Sequence, residues 1–153
     1  GRIHVRLYSD YFCGPCSRLD PEIAGPIAAL VKKNSIRVTF VDTPVHQHTS
    51  LYVRYFLYAL NEKKDIDYAN KVRHALFLAA AMNITEREKL EEHLKKSGIT
   101  YKIYDPAPTF NFLTGYLTED KIRSTPTAVI LDSGRKTVVR GSADIARAIG
   151  EIP

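Results

Sequence analysis

Two cysteines stand in the whole chain, and only two residues separate them, in Phe12-Cys13-Gly14-Pro15-Cys16. On one side lies Ile3–Tyr8, where Ile3, Val5 and Leu7 alternate with His4 and Arg6 in the two-residue period of a strand. On the other side Leu19, Ile23, Ile27 and Leu30 fall on one helical stripe that stops near Asn34. The pair therefore sits where a strand hands over to a helix. There the free backbone N–H groups and the helix dipole stabilise an anion, so a thiolate at Cys13 is favoured. Cys16, one turn further on, is placed to attack a mixed disulfide formed on Cys13. Gly14 tolerates the tight backbone, and Pro15 is preorganised for the first helical turn.

The competing uses of two cysteines are weaker. A bridge closing so small a loop contributes only about 2 kcal/mol by chain-entropy estimates, which makes it a poor staple. Two Cys supply half of a structural zinc site, and no His pair stands at finger spacing to complete it. His46-Gln47-His48 reads as a polar loop, because no third ligand is near in sequence. His74 and His93 read as ordinary helix residues. The expectation is no metal and no cofactor.

At 153 residues, 44% apolar and 25% charged, the chain has material for one core, and one domain spanning 1–153 is expected. The net charge of +5, from 22 basic and 17 acidic residues, is spread out rather than clustered, so nucleic-acid binding is not expected. No apolar run approaches the roughly 18 residues of a membrane span, so no membrane contact by this domain is expected. The chain opens at Gly1-Arg2 without Met, which reads as a cut or processed edge and leaves room for a leader or anchor upstream.

Further along, Ile36–Val41 reads as a second strand, ended by Asp42-Thr43-Pro44. Pro21 and Gly25-Pro26 predict that the preceding helix is kinked or split. From Ser50 to Gly98 the pattern is helical in three pieces: Leu51–Asn61, Tyr68–Met82 and Glu86–Lys96. Thr85 and Glu88 stand at capping-box spacing before the third, which ends at Ser97-Gly98. The stripe Tyr52, Tyr55, Phe56 and Tyr58 reads as core of this helical block. A further helix is expected over Thr109–Tyr116, then a strand at Thr127–Leu131, a turn at Asp132-Ser133-Gly134, a partner strand at Thr137–Arg140 and a final helix around Ala143–Ile149.

These parts, in this order, resemble the thioredoxin superfamily. Phe12-Cys13-Gly14-Pro15-Cys16 is similar to its active-site motif with Phe in place of Trp, and Pro21 matches its kink proline. Thr125-Pro126-Thr127, the turn at Ser133-Gly134 and Gly141 match its cis-proline loop, terminal hairpin and following glycine. The likeness covers roughly residues 3–41 and 121–150. The helical block between them, about 47–120, resembles the insertion of the DsbA-like branch. The expected fold is therefore α/β: a thioredoxin-like central mixed sheet flanked by helices, with an all-helical insertion between the second strand and the cis-Pro loop.

The resemblance implies a thiol-disulfide oxidoreductase acting on protein thiols and disulfides, together with an unidentified redox partner, in a periplasmic or otherwise extracytoplasmic setting. Cys13 attacks and Cys16 resolves. Thr125 and Pro126 hold an extended substrate peptide through backbone hydrogen bonds, and Phe12, Pro15 and Gly141 complete the apolar rim. Two departures matter. Where the family keeps a buried acid, six residues before the first Cys, this chain has Leu7. The Gly14-Pro15 dipeptide is thioredoxin's, a reductant, whereas the insertion is like that of DsbA, an oxidant; the two potentials lie about 150 mV apart, roughly 7 kcal/mol. The dipeptide favours a reducing or isomerising role. A DsbA-like oxidase, a redox-sensing peptide-binding module and a dedicated electron-transfer partner, as in cytochrome maturation, are the alternatives.

Overall fold

A computed structural model describes residues 3–153; the expectation about the Gly1-Arg2 edge lies outside them. Strand β1 (Ile3–Ser9) leads through the cysteine turn into helix α1 (Gly14–Lys32) and strand β2 (Ile36–Asp42). Four helices follow: α2 (Thr49–Glu62), α3 (Ile66–Ala81), α4 (Arg87–Lys96) and α5 (Ala107–Glu119). The chain then forms β3 (Thr127–Asp132), β4 (Arg135–Arg140) and α6 (Ser142–Gly150). The sheet order is β2-β1-β3-β4. β1 pairs parallel with β2, Leu7 opposite Phe40, and antiparallel with β3, Leu7 opposite Ala128, so the sheet is mixed.

Alternation along β1 sorts its side chains onto two covered faces. Val5 and Leu7 join Leu19, Ile23 and Ile27 of α1 and Ile145 and Ile149 of α6 in one core. His4, Arg6 and Tyr8 face α5, where Leu113, Tyr116 and Leu117 cover Tyr8, Val41 and Val129. The helices α2, α3 and α4 build a separate core from Tyr52, Tyr55, Phe56, Val72, Leu76, Leu90 and Leu94, and Tyr11 and Cys16 reach into it. The cysteine turn thus lies at the seam between the sheet core and the core of the insertion.

Three local expectations change. First, of the two forms expected for α1, kinked or split, the split does not occur: the helix runs unbroken through Pro21 and Pro26. Each internal proline costs about 3 kcal/mol. Burying Leu19, Ile23, Ile27 and Leu30 at 5% exposure or less contributes about 1.5–3 kcal/mol each and offsets that cost. Second, the capping box before α4 does not form. The helix begins at Arg87 with Glu86 as its N-cap and no side-chain capping bond, so Thr85 falls one position too early to cap. Third, the loosely patterned region yields a helix longer than Thr109–Tyr116, Ala107–Glu119, none of whose residues is fully buried. The hairpin between β3 and β4 turns on Ser133 (φ 50°) and Gly134 (φ 84°), the left-handed pair of a type I′ turn.

Candidate active site

The turn before α1 is fixed from beneath by Asp10, which is fully buried. Its Oδ1 accepts the Phe12 N–H at 3.0 Å and the Thr49 hydroxyl at 2.7 Å. Its Oδ2 lies 2.6 Å from His46 Nδ1 and accepts the His46 backbone N–H at 3.2 Å. Its carbonyl accepts the Cys13 N–H at 3.0 Å. Four donors on one carboxylate tie the end of β1 to the start of α2 and hold the loop carrying Cys13 in one geometry. The His46-Gln47-His48 segment is thus a polar loop anchored on Asp10, with both imidazoles flanking Phe12. Among the described residues no group of three His, Cys, Asp or Glu side chains is arranged to hold a metal.

Cys13 is the N-cap of α1, in extended conformation, and its Sγ accepts the Cys16 N–H at 3.4 Å. The first turn of the helix carries no acidic residue. Cys13 is half-buried, with Gly14 and Pro15 exposed beside it, and Cys16 is buried at 2% exposure. Burial, together with a hydrogen bond that the Cys16 S–H donates to the Cys13 sulfur, pushes the Cys16 thiol up to about 12, so it stays protonated at neutral pH. The two sulfurs are therefore unequal: one is half-buried at a helix N-terminus, the other is a buried thiol that holds its proton at neutral pH.

The chain returns to this point 112 residues later: the Cys13 thiol donates to the Thr125 carbonyl at 3.6 Å. The Thr125–Pro126 peptide is cis. The Pro126 carbonyl accepts the Gly141 N–H at 3.1 Å, which joins the start of α6 to the same loop. Phe12 packs edge-on against Tyr52 at 4.9 Å, with the rest of the Tyr52, Tyr55, Phe56 and Tyr58 stripe buried as core. The structure thus brings Phe12, Cys13, Cys16, Thr125, Pro126 and Gly141 into one neighbourhood.

Directly beneath Cys16 lies a charged cluster that the pattern of the sequence does not announce. Arg73 of α3 is fully buried. It donates to Asp42 Oδ1 at 2.9 Å, to the Tyr11 hydroxyl at 3.2 Å and to the Ser9 hydroxyl at 2.7 Å. Its guanidinium stacks 4.3 Å from the Phe40 ring centre. Its Nε lies 3.5 Å from Asp20 Oδ1, a residue of α1 that is itself 7% exposed. Burying a cation is costly unless it is paired, and two carboxylates and an aromatic face pair this one. One signal was present: Arg73 stands on the same helical stripe as Ala69 and Leu76.

No family model and no curated protein matches the chain in sequence. Solved structures do match it in shape. A candidate protein-disulfide isomerase from Pseudomonas syringae superposes with a TM-score of 0.75 at 16% identity, over 100% of this chain and 94% of that one. A periplasmic thioredoxin-like protein from Salmonella enterica serovar Typhimurium gives 0.71 at 18% identity, over 97% and 82% of the two chains. The thiol-disulfide exchange protein alpha-DsbA2 from Wolbachia pipientis gives 0.69 at 18% identity, over 99% and 82%. At these identities the likeness is one of fold, and it extends through the inserted helices as well as the sheet. The chain therefore has the thioredoxin-like fold with a helical insertion, in the form found in DsbA-like structures.

Proposed function

We propose that this chain is a thiol-disulfide oxidoreductase that exchanges disulfides with protein substrates through Cys13 and Cys16. The observation that carries this reading is the inequality of the two sulfurs: Cys13 is half-buried at the N-terminus of α1, where it accepts the Cys16 backbone N–H at 3.4 Å, and the Cys16 thiol is buried. In the reducing direction the Cys13 thiolate attacks one sulfur of a substrate disulfide. A Cys13–substrate bond forms, and the other substrate sulfur leaves as a thiolate. Cys16 then attacks Cys13, the Cys13–Cys16 bond forms, and the second substrate sulfur departs. Two electrons have passed to the substrate, and an external dithiol must restore the pair.

The Thr125–Pro126 backbone beside Cys13 suits an extended peptide, which such a loop holds by main-chain hydrogen bonds, while Phe12, Pro15 and Gly141 form the rim. The reducing or isomerising direction rests on the Gly14-Pro15 dipeptide. An extracytoplasmic setting is supported by the periplasmic description of one structural neighbour, and no helix among the described residues is long and apolar enough to cross a membrane. The test is reduction of a protein disulfide, such as insulin, by the chain with dithiothreitol as electron source. Turnover is expected, and Cys13→Ser is expected to lose all of it. Turnover retained in that variant sinks the reading. The equilibrium potential of the pair in a glutathione buffer then fixes the direction: near thioredoxin's it is a reductant, near DsbA's an oxidant.

A further inference from the structure

Resolution by Cys16 needs a base, because its buried thiol holds its proton, yet the β1 side chains that line a cavity with it, Leu7 and Ser9, carry no carboxylate. Three other buried carboxylates lie close to the cysteine turn. Asp10 is fully engaged by Phe12, Thr49 and His46. Asp42 has one oxygen on Arg73 and the other on the Tyr11 hydroxyl. Asp20 is different in two respects. It sits four residues after Cys16 on α1, which places both side chains on one face with Cβ atoms roughly 6 Å apart. Both also line a small cavity of about 10 Å³, close to the least volume that holds one water, together with Leu7, Ser9, Leu19, Ile23, Arg73 and Phe77.

We propose that Asp20 accepts the Cys16 proton through a water in this cavity, and that Arg73 is the positioning residue that holds Asp20 there. The inference rests on the function proposed above. As the Cys16 sulfur bonds to Cys13, the Cys13–substrate bond breaks, the substrate leaves as a thiolate, and the Cys16 proton moves to the Asp20 carboxylate. In the opposite direction Asp20 returns it.

The surroundings suit the task. The groups facing Asp20 are Arg73 and His74 from α3, Asp42 from β2 and Tyr11 from the loop, while α6 brings the apolar Ile145 and Ile149 to this face of α1. Two carboxylates share one guanidinium: Asp42 accepts from Nη1 at 2.9 Å, and Asp20 forms an ion pair with Nε at 3.5 Å. Burial, with Arg73 opposing it and Asp42 adding to it, raises the Asp20 carboxyl above its ordinary value, the direction that makes it a better proton acceptor.

The experiment separates attack from resolution in single turnover. Reduced protein is mixed with oxidised glutathione, quenched with acid, and the glutathionyl adduct and the intramolecular disulfide are followed by mass spectrometry across a pH series. Asp20→Asn is expected to leave adduct formation at Cys13 unchanged and to slow its resolution about 10- to 100-fold. Its pH profile should lose the wild-type inflection, and Asp20→Glu should restore part of the rate.

A second measurement follows the ultraviolet absorbance of the Cys16 thiolate in Cys13→Ser. Adding Asp20→Asn to that background removes a neighbouring negative charge and should move the titration down. An Asp20 that acts only as a charge would therefore make resolution faster in Asp20→Asn, so slower resolution with easier thiolate formation marks a proton acceptor. Unchanged or faster resolution overturns the proposal. If wild-type protein forms no adduct at Cys13, it is the oxidoreductase reading that fails. If Asp20→Asn does not fold, a Cys16 titration in Cys13→Ser that is unmoved by Arg73→Lys overturns the proposal instead.

Discussion

Asp120, at the end of α5, grips Arg6 of β1 with both carboxylate oxygens, at 3.1 and 3.0 Å. The same carboxylate accepts from the Tyr8 hydroxyl and from Lys136 Nζ at 2.6 Å, while Arg6 also meets Glu119 at 2.5 Å and stacks 3.9 Å over Tyr116. The side chain of Asp120 is fully buried and that of Arg6 nearly so. This knot clamps α5 to the far face of the sheet. Since no residue of α5 is fully buried, polar closure supplies what apolar burial does not.

Removing one member of such a knot leaves the others desolvated and unpaired. Asp120→Ala is expected to destabilise the fold by about 3 kcal/mol, read as a fall in the urea midpoint. The clamp is also acid-sensitive. Burial pushes the Asp120 carboxyl up, but hydrogen bonds from Lys136, Tyr8 and Arg6 outweigh it and hold the group below the usual carboxylate range. Its stability contribution is then complete above the ordinary value near 4 and is lost as pH falls through the lower folded value. Asp120→Ala should show a smaller acid loss than wild type; an equal loss would place the acid sensitivity elsewhere.

His4 gives a second, separate window. It bonds the Thr39 hydroxyl at 2.8 Å and faces Arg37 at 3.2 Å. Burial, then the charges of Arg37 and Arg6, lower it from 6.5 to about 4. Between those values the unfolded chain binds a proton that the folded chain refuses, so stability falls as pH drops from 6.5 to about 4. His4→Gln should flatten the stability-pH slope across that interval. An unchanged slope would show that His4 is not its source.

Much of this arrangement was legible in the sequence, for identifiable reasons. Cys13 and Cys16 declare themselves by spacing at a strand-to-helix junction, and the order of Pro126, the Ser133-Gly134 turn and Gly141 gives the frame. Leu7 was visible as a departure. Its consequence was not, because Asp20, Asp42 and Arg73 come from three elements and meet only when α3 packs across α1 and β2. A charged residue in a helix reads as surface unless its position on the apolar stripe is weighed against its type. Residue spacing also could not show that a charged knot at Asp120 would join the partly buried Leu113, Tyr116 and Leu117 in closing α5 over the sheet.

Gly141 tests whether the frame is rigid near the cysteines. Its φ of 85° with ψ of 150° lies where almost only glycine is found, and it donates to the Pro126 carbonyl at 3.1 Å. An added Cβ meets nothing within 4 Å, so any cost of Gly141→Ala comes from the backbone alone. A loss of about 1–3 kcal/mol is expected in chemical denaturation. An unchanged midpoint would mean that the start of α6 relaxes freely and does not tie the Pro126 loop in place.

The inequality of the two sulfurs makes the sharpest prediction about chemistry. With Cys16 replaced by Ser, Cys13 keeps its place as N-cap of α1 and its contact with the Thr125 carbonyl, so attack on a disulfide should proceed at the wild-type rate. Nothing then resolves the product, and a Cys13 mixed disulfide with a protein substrate should persist long enough to isolate under non-reducing conditions. Cys13→Ser should give no adduct at all, because the remaining thiol is buried at 2% exposure and held up to about 12. Equal adduct yields from the two variants would contradict the assignment of Cys13 as attacker and Cys16 as resolver.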